Sequence, residues 1–219
     1  MRGQGAVRRS VLTRSWSRVV AASYDPVAAV GDRWFLARHR ADLLAGLSGR
    51  VLLVGAGTGW SFPYLEALDA SLEVHAIEPD STMRRRARAR AAEMDLDVIL
   101  AAARAETLPY RDGSFDAVVT SLVLCSVDDL DAVRGELSRV LRSGGELRLL
   151  EHVRAPGIRG RAQRAVAPLW HPLAGGCHLT RRPHEAYERD PTFSVIDCEE
   201  IDGGLFPIRP FVRARFRRH

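Results

Sequence analysis

Gly55, Gly57 and Gly59 stand at alternate positions directly after the apolar run Val51-Leu52-Leu53-Val54, and Glu78 lies 23 positions beyond the first of them. Glycine tolerates positive φ in a tight turn and leaves the backbone bare for a ligand to approach. A carboxylate offers two acceptor oxygens, enough for both hydroxyls of a ribose. A glycine corner followed at this distance by an acid therefore points to nucleotide binding. A glutamate at a strand end taken alone is equally well explained by solvation; the three glycines favour the ribose. His152, after a later apolar run, is the candidate general base, because imidazole titrates near neutrality. Its competing reading is a core histidine bonded to a backbone carbonyl.

These groups need a scaffold. Val51–Val54 has no polar side, as a parallel strand buried on both faces requires, and a strand feeding a glycine-rich turn that opens a helix belongs to a doubly wound α/β sheet. A dinucleotide fingerprint would place a glycine where Trp60 stands, which disfavours NAD. The pattern predicts helices over about 10–22 and 27–47, the second ended at Gly49, and a helix after Trp60 through Tyr64, Leu65 and Leu68. Strands follow at 72–77, 97–101, 117–120 and 146–150. Helices are expected from Asp80 (with Met83, Ala87 and Ala91), over 130–141 closed by Arg142-Ser143-Gly144-Gly145, and over 156–173. Two last strands read at 193–201 and 211–216.

The 219 residues, 46% of them hydrophobic and 27% charged, suit one soluble domain with a full-sized core. The net charge is +5, and all 32 basic residues are arginines. The arginines at 213, 215, 217 and 218 read as a solvated strand end, since a nucleic-acid patch wants interleaved aromatics; no nucleic-acid partner is expected. Cys125, Cys177 and Cys198 make no disulfide framework, no apolar run reaches the roughly 20 residues of a membrane span, and a cytoplasmic protein is the expectation. Arg14, Trp16 and Arg18 in the first helix also suit an anionic membrane surface, so peripheral contact stands beside a lid that packs on the sheet. His171, Cys177, His178 and His184 match no structural zinc spacing, and no metal is expected.

The Gly-x-Gly-x-Gly corner resembles the first motif of the class I S-adenosylmethionine-dependent methyltransferases. Two further stretches carry the likeness: Ala105-Glu106-Thr107-Leu108-Pro109-Tyr110 with Ser114-Phe115-Asp116, and Leu141-Arg142-Ser143-Gly144-Gly145 before the fifth strand. Ser121–Val127, Glu151-His152-Val153 and the block from Trp170 to Arg181 are similar to the methyltransferase-like 7 proteins, whose animal members are thiol S-methyltransferases. Their hydrophobic N-terminal anchor has no counterpart in this sequence.

The resemblance implies a seven-stranded Rossmann-like sheet with an antiparallel last strand, a helical cover over 1–47 and a cofactor-binding unit over 48–219. It implies S-adenosylmethionine as cofactor, S-adenosylhomocysteine as product, and a small-molecule acceptor methylated by direct in-line displacement. The cofactor residues it implies are Tyr24 from the cover, Gly55, Ala56, Gly57, Thr58 and Gly59 from the corner, Glu78, Pro79 and Met83 from the second strand and its helix, and Ala105, Glu106 and Ser121. Tyr24 could equally pack under the first helix. Arg104 stands where the family often has aspartate for the adenine amino group, which leaves the backbone amide of Ala105 for that contact. The same core serves phosphatidylethanolamine-type and quinone methyltransferases at a membrane surface, and non-catalytic S-adenosylmethionine-binding proteins. The acceptor and the oligomeric state are not legible in the sequence.

Overall fold

The computed structural model describes residues 35–65 and 72–219. Residues 10–22, Tyr24 and the first part of the 27–47 segment lie outside the described residues. The described elements are α1 (Ala37–Leu44), β1 (Arg50–Val54), a single 3-10 turn (Phe62–Tyr64), β2 (Glu73–Ile77), α2 (Ser81–Glu93), β3 (Val98–Ala101), β4 (Phe115–Ser121), α3 (Leu130–Val140), β5 (Leu141–His152), α4 (Gly157–Leu173), α5 (His184–Glu188), β6 (Phe193–Ile201) and β7 (Phe211–Arg218).

The strands form a seven-stranded sheet in the order β3-β2-β1-β4-β5-β7-β6. β1 to β5 run parallel, while β7 is antiparallel to both β5 and β6. β1 shows why its sequence has no polar side. Leu52 and Val54 join one hydrophobic cluster with Val133, Leu137 and Val140 of α3, while Val51 and Leu53 join a second with Leu43 and Leu44 of α1 and Ala87 and Ala91 of α2. The order reverses between β1 and β4, and a crevice opens at such a point beyond the carboxyl ends of the strands.

Three local expectations are corrected. The third helix stops at Val140, because Leu141 already pairs with Phe115 and the Arg142–Gly145 stretch is drawn into β5. A side chain at Gly145 would collide with the carbonyls of Arg142 and Asp116, so this glycine serves the close approach of β5 to β4. After Trp60, the described residues up to Leu65 hold a 3-10 turn in place of an α-helix, with Pro63 in its first positions, and the rest of that expected helix, Leu68 included, lies outside the described residues. α1 ends at Leu44, ahead of Gly49; the glycine's bare Cα instead makes room for the Asp116 carboxylate, which accepts the Arg50 N–H at 2.7 Å.

Two buried polar side chains tie the outer elements down. Arg148 on β5 donates to the carbonyls of Leu43 at 3.0 Å and Ala45 at 2.7 Å, satisfying the C-terminal end of α1, and pairs with Glu146 at 3.0 Å. Burial holds its guanidinium below the ordinary arginine range, and Arg215 adds to this. Gln163 on α4 accepts the Ala155 N–H at 2.7 Å and donates to the carbonyls of Pro207 at 2.9 Å and Arg209 at 3.0 Å. It thereby locks the entry to α4 against the β6–β7 connection.

Gln163→Leu fits the same volume but strands those buried groups, each costing about 1–3 kcal/mol. The expected loss is about 3 kcal/mol in urea unfolding; a change below about 0.5 kcal/mol would contradict this role.

Candidate active site: a glycine corner held by a buried carboxylate

β1 delivers Gly55 to the crevice, and β2 delivers Glu78 beside it. Gly55 has φ of +69° and Gly57 of +57°, the left-handed region. Their reasons differ. A Cβ on Gly55 would lie 2.5 Å from Val123 Cγ2, so this glycine lets the corner close against the loop after β4. A Cβ on Gly57 would meet nothing within 4 Å among the described residues, so the backbone there is open to close approach. Gly59 abuts the Phe62 ring. Thr58 is buried, and the Ala56 N–H is bonded to the Ile77 carbonyl at 2.9 Å.

Glu78 is buried, and its two oxygens are divided between two loops: Oε2 accepts the Gly57 N–H at 2.9 Å and Oε1 accepts the Asp80 N–H at 2.8 Å. Burial pushes its carboxyl above the ordinary range, against the pull of those two bonds. A carboxylate has about four lone-pair positions, so acceptor capacity remains for hydroxyls in the crevice. Asp80 caps α2 by accepting the N–H groups of Thr82 at 2.8 Å and Met83 at 2.9 Å. Pro79 is exposed between the two acids, and Met83 is half-buried on the first turn of α2.

The far wall comes from the loops after β3 and β4. Ala105 is buried, and Arg104 pairs with Glu106 at 3.1 Å and Asp128 at 2.5 Å. Glu106 in turn accepts the Asp128 N–H at 2.9 Å, so both residues brace the loop between β3 and α3. The Ser121 hydroxyl, half-buried at the end of β4, accepts from Arg40 at 3.4 Å. Leu122 follows with φ of +58°, and the fully buried Glu151 fixes this turn by accepting the N–H groups of Val123 at 3.0 Å and Leu124 at 3.1 Å. Burial raises the Glu151 carboxyl.

The sequence pattern of the family described as "Methyltransferase domain" matches residues 52–149, from β1 into β5. The human thiol S-methyltransferase TMT1A is 34% identical over 168 residues, which cover 74% of this chain and 67% of that protein. The phosphatidylethanolamine N-methyltransferase of Cereibacter sphaeroides is 33% identical over 180 residues, covering 80% of this chain and 86% of its own length. The chain belongs to the class I S-adenosylmethionine-dependent methyltransferases. A solved S-adenosylmethionine-dependent methyltransferase from Methanosarcina mazei shares the fold, with a TM-score of 0.63, 19% identity, and coverage of 78% of this chain and 92% of that one.

S-adenosylmethionine is the cofactor of such enzymes, and the site fits it: the open side of Gly57 suits its close approach, and the spare acceptor capacity of Glu78 suits its ribose. Gly55, Ala56, Gly57, Thr58, Gly59, Glu78 and Pro79 fall together on two adjacent loops, with Met83 on the first turn of α2. Ala105 and Glu106 lie on the loop after β3, and Ser121 closes β4. Tyr24 lies outside the described residues.

His152 is the expectation that the structure places least simply. It is the last residue of β5, buried, with Nε2 3.0 Å from Cys177 Sγ rather than on a backbone carbonyl. Cys125, His152 and Cys177 are, among the described residues, the one group of three or more potential metal ligands, whereas of His171, Cys177, His178 and His184 only His171 and His178 meet, Nε2 to Nε2 at 3.2 Å. A hydrogen bond from Cys125, with others from His152 and Trp170, holds the Cys177 thiol below its ordinary range despite burial, and the same pairing together with burial pushes Cys125 up. No spacing rule joins residues 125, 152 and 177; three separate loops do.

Glu78→Gln keeps the shape but removes the charge, so S-adenosylmethionine affinity is expected to fall about tenfold or more, as loss of hydrogen bonds to a charged acceptor implies. Because burial raises the Glu78 pKa, wild-type affinity should hold at neutral pH and drop on acidification at a higher pH than an exposed glutamate would give. Equilibrium dialysis across pH checks both; an unchanged affinity in the variant would contradict the ribose assignment.

Proposed function

We propose that the protein transfers the methyl group of S-adenosylmethionine to a small-molecule thiol by direct in-line displacement. The observation that carries the acceptor class is the 34% identity to a human thiol S-methyltransferase, over a match that spans 74% of this chain. When bound, the cofactor supplies an electrophilic methyl group on a sulfonium. The protein's own task is positional. Gly57 and Glu78 hold the nucleoside end, and the loop fixed by Glu151 forms the wall where an acceptor approaches. Holding two reactants in a near-attack pose supplies most of what such a reaction needs. A thiol loses one proton before attack, and the thiolate is the nucleophile, so little acid–base machinery is required. His152 remains the candidate to receive that proton, through or beside Cys177.

A second reading is methylation of a phospholipid amine at a membrane surface. The match to a phosphatidylethanolamine N-methyltransferase covers more of this chain, at 80%. On α4, Leu169 and Leu173 are exposed on the same helix as exposed Arg161 and Arg164, a combination that suits an anionic interface. No helix among the described residues is long and apolar enough to cross a membrane.

Incubation with S-adenosylmethionine and either small alkyl and aryl thiols or phosphatidylethanolamine vesicles, read by mass spectrometry, separates the two. Methyl thioethers without methylated lipid are expected, with a rate that rises with pH over the range in which the acceptor thiol ionises. Methylated lipid alone would contradict the thiol reading.

A further inference from the structure

Cys125, His152 and Cys177 are not used by the cofactor site, yet the fold takes trouble to bring them together. We propose that they form a three-ligand site for a thiophilic divalent cation of the zinc class. Their ligand atoms, two sulfurs and one imidazole nitrogen, all lie within 4.8 Å of one another. Tetrahedral zinc with sulfur at about 2.3 Å and nitrogen at about 2.0 Å needs ligand atoms about 3.5–3.8 Å apart. The His152–Cys177 pair already sits at 3.0 Å, so small side-chain rotations admit an ion.

The backbone around the three is tied together without any ion. Cys125 follows β4, His152 closes β5, and Cys177 lies in the loop after α4. The His178 N–H donates to the Cys125 carbonyl at 2.8 Å, joining the two cysteine loops directly. Arg181 donates to the carbonyls of Leu124 at 3.1 Å and Val127 at 2.7 Å, clamping the same loops a second time. Both sulfurs also have polar company of the kind that supports a thiolate ligand: the Trp170 indole N–H donates to Cys177 Sγ at 3.2 Å, and the Ser126 hydroxyl lies 3.4 Å from Cys125 Sγ.

Two cysteines and a histidine are the ligand set of zinc sites that keep a fourth position for water or substrate. The undescribed segments contain neither cysteine nor histidine, so a fourth ligand of either kind cannot come from them. The site lies at the carboxyl ends of β4 and β5, one and two strand spacings from the glycine corner on β1, that is about 5 and 10 Å along the sheet. Resting on the thiol reading above, the fourth ligand is the acceptor's thiolate; with an ion on His152 Nε2 that nitrogen no longer acts as the base, and the thiol's proton is released to solvent when its sulfur displaces water from the ion.

The test is cobalt substitution in the full-length, reduced, chelator-treated protein. Co2+ should give thiolate charge-transfer absorption in the near ultraviolet and visible bands of tetrahedral intensity, saturating at one ion per chain and displaced by Zn2+. Cys125→Ser and Cys177→Ser should each lower the charge-transfer band by about half, as loss of one of two thiolates implies. Zn2+ should also slow iodoacetamide labelling of wild-type Cys125 and Cys177 by about tenfold while leaving exposed Cys198 unaffected, as expected when thiolates are ligated. No cobalt bands and no protection would overturn the site, as would bands of undiminished intensity in both cysteine variants. A cobalt spectrum unmoved by an added small thiol would overturn the acceptor-ligand role alone. Absence of thiol methylation by both metal-loaded and metal-free protein would instead end the thiol reading, and the cobalt spectrum would still decide the site.

Discussion

The Glu78 carboxylate holds two loops at once, and the geometry of the site depends on that. A buried acid costs several kcal/mol unless its oxygens are satisfied, and here the N–H groups of Gly57 and Asp80 satisfy them. The first bond fixes the turn after β1 and the second fixes the entry to α2. The acid that is chemically suited to a ribose is thus also the peg that shapes the corner facing it. Removing the side chain would release both loops, whereas the isosteric amide keeps the volume and one of the two acceptor oxygens, so one loop stays held.

The same device appears on the other side of the switch point. Glu151, near the end of β5, is buried and accepts the N–H groups of Val123 and Leu124 from the loop after β4. Val123 is the residue against which Gly55 packs. The two carboxylates therefore bracket the crevice, each reaching from the end of one strand to hold the loop that follows another. Between them lie the carboxyl ends of β1 and β4, held rigid by apolar clusters on both faces of the sheet.

The sheet and the cofactor corner were legible because they are local. Val51–Val54 followed by three glycines, an acid closing the second strand, and Asp80 as a helix cap each declare themselves within a few residues. The last two strands were also readable, as two runs on either side of the Gly203-Gly204 loop, and they pair as β6 and β7. Arg148 and Gln163 were not readable as anchors, since their partners at Leu43, Ala45, Pro207 and Arg209 are up to 105 positions away. Cys125, His152 and Cys177 were each visible, but nothing in their spacing revealed that three loops converge on one point. The stretch Arg142–Gly145 misled for a different reason: Gly144 has the positive φ of a helix-ending glycine, but Gly145 lets β5 lie close against the Asp116 carbonyl of β4, and the stretch is drawn into the strand.

Calorimetric titration of the full chain with S-adenosylmethionine, and separately with NAD, bears most directly on the claim that Gly57 and Glu78 form a methyl-donor site. One-to-one binding of S-adenosylmethionine with no heat from NAD is the result predicted by an open Gly57 and a glycine corner that ends in Trp60. Binding of NAD, or no binding of S-adenosylmethionine, would contradict it.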